Sequence, residues 1–112
     1  MTETISHRRR KRKDAGLTGR TEVKLPSGKF LDALSGTGIA TEIERGGTPG
    51  IKRAIRRLGQ AVRSGKARKV RLRVPDWDLD TGFDEMRRQR VGGELTNLGG
   101  TRRFHISKRR RK

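Results

Sequence analysis

The chain has no cysteine and no tyrosine, and only one tryptophan and three phenylalanines. Without thiols it can form neither disulfides nor the thiolate sites that hold structural zinc. Its two histidines, His7 and His105, stand too far apart in the sequence to make a paired-imidazole metal motif. No apolar run is long enough to span a bilayer, and no Trp- or Phe-rich amphipathic stretch suits a membrane surface. A membrane partner is therefore not expected. Acidic residues are scarce, with 12 Asp and Glu against 30 Lys and Arg, for a formal charge of +18 on 112 residues.

Such a charge points to nucleic acid, since it exceeds what solubility requires and matches a polyanion. An Arg-rich start with no apolar segment behind it is unlike a secretory signal, so the expected location is cytoplasmic and nucleoid-associated, or nuclear in a eukaryote. Hydrophobic residues make up 29% of the chain, enough for one small core. A core of that size gains from oligomerisation or a bound ligand, so a homodimer is compatible with the composition.

Two basic blocks frame the chain, His7–Lys13 and Lys108–Lys112. Like-charge runs of this kind repel themselves. Residues 1–19 and 107–112 are accordingly read as flexible arms around one folded domain, residues 20–106. Their Arg8, Arg9, Arg10, Arg109, Arg110 and Arg111 are candidate phosphate contacts.

Within the domain, Thr21–Leu25, Lys29–Leu34 and Ile39–Glu44 read as strands separated by the short turns Pro26-Ser27-Gly28 and Ser35-Gly36-Thr37-Gly38, which predicts an antiparallel meander. Thr48 and Pro49 suit the start of a helix, as N-cap and first helical residue. Ile51, Ala54, Ile55, Leu58, Ala61 and Val62 then recur at helical spacing up to Gly65. The opposite face of that helix carries Lys52, Arg53, Arg56, Arg57 and Arg63. Lys69–Val74 is a strand with Val70, Leu72 and Val74 on one side, and Pro75 ends it. Asp76, Asp78 and Asp80 complement the dipole of a second helix bearing Leu79, Phe83 and Met86. Glu94–Leu98 and Arg102–Ile106 close the chain as strands. The expected class is α/β (α+β), a single small mixed sheet in the order β-β-β-α-β-α-β-β, with the first helix making the third and fourth strands neighbours.

In so basic a chain, carboxylates on strands need a reason. Asp32 lies on the second strand, and Glu42 and Glu44 lie two apart on the third and so share a face. The turn brings Asp32 opposite the Thr41–Glu44 region. Clustered negative charge is costly unless a cation neutralises it, and hard cations such as Mg²⁺ or Mn²⁺ take oxygen ligands. Lys24, Lys29, Arg45 and the basic helix face flank this group and suit a phosphate backbone.

An Asp on the second strand and Glu-x-Glu on the third, followed by a helix and a strand, resembles the PD-(D/E)xK, or restriction-endonuclease-like, nuclease superfamily, which includes small Holliday-junction resolvases and toxin nucleases. The likeness covers roughly residues 20–75. It implies a metal-dependent endonuclease acting on nucleic acid, with DNA ahead of RNA, and Asp32 and Glu42 as Mg²⁺ or Mn²⁺ ligands. It places Glu22 where some members carry an extra acidic ligand, and Gln60 where some carry an auxiliary polar residue. Glu44 would stand where most members have the lysine that positions the attacking water. The sequence departs from the pattern in that Glu, in having Leu31 rather than Pro before Asp32, and in offering only residues 7–19, with Gly16 and Gly19, for the helix that usually precedes the first strand. The competing expectation is a non-enzymatic DNA- or RNA-binding protein, nucleoid- or ribosome-associated, in which the carboxylates only balance neighbouring arginines.

Overall fold

The computed structural model describes residues 5–16 and 19–107. Short turns dictate the first half. Strand β1 (Arg20–Lys24) pairs antiparallel with β2 (Phe30–Leu34), and β2 pairs antiparallel with β3 (Ile39–Ile43). Each turn reverses through a glycine in the left-handed region, Gly28 at φ +90° and Gly38 at φ +91°, where a side chain would be strained. Helix α2 (Gly47–Arg63) then crosses over so that β4 (Lys69–Val74) lies parallel to β3, with Ile39 opposite Lys69 and Ile43 opposite Arg73. A single 3-10 turn (Asp76–Asp78) and α3 (Leu79–Gln89) make the second crossover to β5 (Gly93–Asn97), again parallel. The hairpin partner β6 (Arg103–Ile106) ends the sheet, whose strand order is β1-β2-β3-β4-β5-β6. From β1 onward, element order, meander and crossover are those expected. The resulting α+β domain has one mixed six-stranded sheet.

Strand alternation sorts residues to two faces. Val70, Leu72 and Val74 join Ile51, Ile55, Leu58, Met86 and Leu95 in the buried core beneath α2 and α3. Arg71 and Arg73 point to the other face, where they meet Asp14 of α1 (Ile5–Ala15). Within the arm expected over residues 1–19, Ile5–Ala15 is helix α1 docked on the sheet, while residues 1–4, 17 and 18 lie outside the described residues. The inward side of α1 is polar: His7, Lys11, Asp14 and Ala15 follow the i, i+4, i+7, i+8 pattern of one helical face, and the last three are buried. Gly16, expected to break the helix, instead ends it at φ +76°. Arg12 and Lys13 in the last turn complement the dipole. Among the described residues no helix is long and apolar enough to cross a membrane.

Candidate active site

Ladder pairing between β2 and β3 runs through Leu34–Ala40 and Ala33–Thr41. Beyond that point the strands are bridged by side chains. The backbone N–H of Asp32 donates to Glu42 Oε2 at 2.9 Å, and the N–H of Ile43 donates to Asp32 Oδ2 at 2.8 Å. The two carboxylates thus reach across to each other's strand and form the crotch of a fork. Glu42 is 2% exposed. Its other oxygen accepts from Arg57 Nη1 of α2 at 2.9 Å. Asp32 Oδ1 faces α1, with Lys11 Nζ at 3.4 Å and His7 Nε2 at 3.8 Å. Helices on both faces of the sheet therefore deliver a cation to one carboxylate pair.

Burial, followed by the charge of Asp32, raises the Glu42 carboxyl from an ordinary 4.5 to about 8, against the opposing pull of the Asp32 N–H and Arg57. Unfolded, Glu42 releases its proton near 4.5; folded, it keeps it to about 8. Over that window the native state binds more protons, so this group's stabilisation is complete below the lower value and declines as pH rises, by roughly 1.4 kcal/mol per unit. Denaturant unfolding in a chelator from acidic to mildly alkaline pH should give a steeper loss for the wild type than for Glu42→Gln. Parallel profiles for the two proteins would contradict a raised Glu42.

The other acidic candidates are placed differently from the sequence reading. Strand β3 ends at Ile43, one residue before Glu44, although the Glu44 N–H still donates to the Arg73 carbonyl at 2.9 Å. Glu44 Oε2 accepts from the Gly46 N–H at 2.7 Å, satisfying a free donor at the start of α2. The helix's N-cap is Gly46, and Thr48, expected in that role, lies inside it. A Cβ on Gly50 would fall 2.3 Å from Glu44 Oε2, so only glycine admits this approach. Glu44 is thereby placed at a helix end. Glu22 lies on the far side of Lys11, which bridges it to Asp32. It takes φ +56° where β1 runs past Asp32, and its side chain is 56% exposed. Lys11 is the residue the sequence reading missed. It was one cation in a basic run, and only its spacing from Asp14 distinguished it.

Of the basic candidates, Lys29, Arg53, Arg56 and Arg57 come together around a cavity of about 220 Å³ that Ser27 and Gln60 also line. Arg57 belongs both to that cavity and to the Glu42 ion pair, so the basic cleft opens beside the fork. Arg8, Arg9, Lys24 and Arg45 are exposed, and Lys52 is half-buried. Arg10 is partly committed, with Nη1 donating to the Leu98 carbonyl. Arg109, Arg110 and Arg111 lie outside the described residues. Searches against family models, curated proteins and solved structures return no match to this chain.

Proposed function

We propose that the chain is a metal-dependent endonuclease that hydrolyses phosphodiester bonds in nucleic acid, with DNA as the first substrate class to test. The observation that carries this reading is the meeting of Asp32 and Glu42 at the β2–β3 fork, beside a buried ammonium and at the edge of an arginine-lined cleft. The resemblance to the restriction-endonuclease-like superfamily is also supported by α1, which supplies the helix ahead of β1 that the sequence did not reveal.

The donor set can be tested against the metal. Each of the two carboxylates accepts from a backbone N–H of the other's strand, and Glu42 is pushed toward its neutral form by burial and by the charge of Asp32. A divalent cation relieves that repulsion. Among the described residues no three His, Cys, Asp or Glu side chains converge, so a full protein cage is not built. Mg²⁺ and Mn²⁺ can take one or two carboxylates and complete their shell with waters and substrate phosphate. Asp32 and Glu42 would hold the ion, which supplies an acidified water and a counter-charge for the leaving oxygen.

The chain's own groups do the positioning. Lys29, Arg53 and Arg56 hold a phosphate backbone in the cleft, and Arg57 keeps Glu42 turned toward it. Lys11, 7% exposed and fixed between Glu22 and Asp32, presents an ammonium at the fork. It thus provides from α1 the cation that the resemblance expects at the position of Glu44. There it orients a nucleophilic water and offsets charge developing on the phosphoryl oxygens. A cleavage panel on junction, duplex and single-stranded substrates, with Mg²⁺, Mn²⁺ or chelator, tests the reading. Metal-dependent strand scission is expected on at least one substrate; its absence on all of them leaves a non-enzymatic nucleic-acid binder.

A further inference from the structure

A second basic groove lies at the opposite end of the sheet from the fork. One cavity of about 480 Å³ opens between the starts of β4 and β5 and the end of β6, and an adjoining one of about 380 Å³ opens beneath the C-terminal ends of α2 and α3. They share Arg68, Lys69 and Gly92. Charge in this region is of two kinds. Arg71 and Arg103 both pair with Glu94, whose carboxyl they hold below its usual range despite the burial that pushes it up. Arg63, Arg68, Lys69 and Arg90 have no acidic partner among the described residues. Arg90 is also held at φ +59°, a conformation that strains a residue with a side chain and that glycine adopts freely.

The two basic regions are linked. On α2, residues 53, 56, 57, 60 and 63 lie on the side opposite Ile51, Ala54, Leu58 and Ala61, which are all buried. The first four line the cleft at the fork, and Arg63 lines the second groove. From Arg53 to Arg63 the helix rises about 15 Å, the axial length of about four to five nucleotides.

We propose that Arg63, Arg68, Lys69 and Arg90 form a second phosphate-backbone site, and that the arginine stripe of α2 carries one nucleic-acid strand from the fork to it. The direction of this track rests on the nuclease reading; the site itself does not. A groove of unpaired guanidinium and ammonium groups takes phosphodiester oxygens, and one strand anchored at both ends of α2 is held in register at the fork.

The test is binding in a chelator, so that cleavage plays no part. Fluorescence anisotropy compares the wild-type chain, Arg68→Gln/Lys69→Gln, and a charge-matched control, Arg87→Gln/Arg88→Gln, on the exposed side of α3. Single-stranded oligonucleotides shorter and longer than the about five nucleotides of the track serve as probes. The groove variant is expected to weaken binding of the longer probes only and to flatten their log–log salt dependence by about 0.7 for each phosphate no longer neutralised. A loss equal on short and long probes, or one matched by the control variant, overturns the proposal. A protein that cuts nothing but shows the length-dependent loss would retain the groove and lose the nuclease reading.

Discussion

Asp32→Asn and Glu42→Gln are each expected to lower Mg²⁺-dependent cleavage about a thousandfold or more while leaving nucleic-acid binding equal or tighter. Both substitutions keep the shape of the fork. An Asn oxygen still accepts from Ile43 N–H, and a Gln oxygen still accepts from Asp32 N–H. Each removes one of the two carboxylates that meet at the fork. Metal assistance is worth several kcal/mol of transition-state stabilisation, and each 1.36 kcal/mol is about tenfold in rate. Binding tightens in Asp32→Asn because a negative charge beside the phosphate-binding cleft disappears, and stays equal in Glu42→Gln below about pH 8, where the Glu42 carboxyl keeps its proton. Lys11→Met separates the roles further. It removes the ammonium but leaves both carboxylates, so cleavage should fall with the dependence on metal concentration preserved or sharpened. Cleavage is read on the substrate found active, and binding by anisotropy in a chelator. Full activity in Asp32→Asn would exclude the fork as the catalytic centre.

How much of this was legible in the sequence follows from what each element uses to hold its place. The sheet and the two later helices bury apolar side chains, and apolar spacing is what a sequence displays. Ile51 to Val62 marked α2, alternation at Val70, Leu72 and Val74 marked β4, and the glycines at 28 and 38 marked tight turns. The Asp32–Glu42 pair was legible for the same reason, since turn length fixes register and register brings residue 33 opposite residue 41. The contact of Glu44 with the start of α2 was not legible in strand spacing. The chain leaves the strand after Ile43, and the unsatisfied N–H groups of α2 attract the carboxylate. Helix α1 was hidden because it docks through charge, which a search for hydrophobic periodicity ignores. Its signal was a lone acid, Asp14, directly after the basic block His7–Lys13, three positions from Lys11 and seven from His7.

That acid carries the second large prediction: Asp14→Ala should detach α1 and lower the melting temperature by more than about 10 °C, at about 4–8 °C per kcal/mol for a domain of this size. Asp14 is 8% exposed and Arg73 is 7% exposed. They make a two-pronged ion pair, Arg73 Nε to Asp14 Oδ2 at 2.8 Å and Nη2 to Oδ1 at 2.7 Å, with Arg71 Nη1 adding a third donor at 3.3 Å. Removing the carboxylate leaves the Arg73 guanidinium buried with Thr96 Oγ1 as its remaining side-chain partner, at 3.2 Å. Stranding a buried charge costs about 3–5 kcal/mol, a large share of the roughly 5–15 kcal/mol that stabilises a typical domain. The cost comes from the orphaned charge more than from the missing attraction, so replacing both partners with apolar residues, Asp14→Leu with Arg73→Met, should recover most of the stability. Calorimetry reads the first effect, and hydrogen exchange on the α1 amides reads detachment. The same helix carries Lys11 and His7 to Asp32, so Asp14→Ala should lose cleavage along with α1 protection, and the double replacement should restore the two together. If α1 amides stay protected in Asp14→Ala, the ion pair is not what docks the helix. If protection returns in the double variant but cleavage does not, Arg73 or Asp14 serves the fork in some way beyond holding α1 against the sheet.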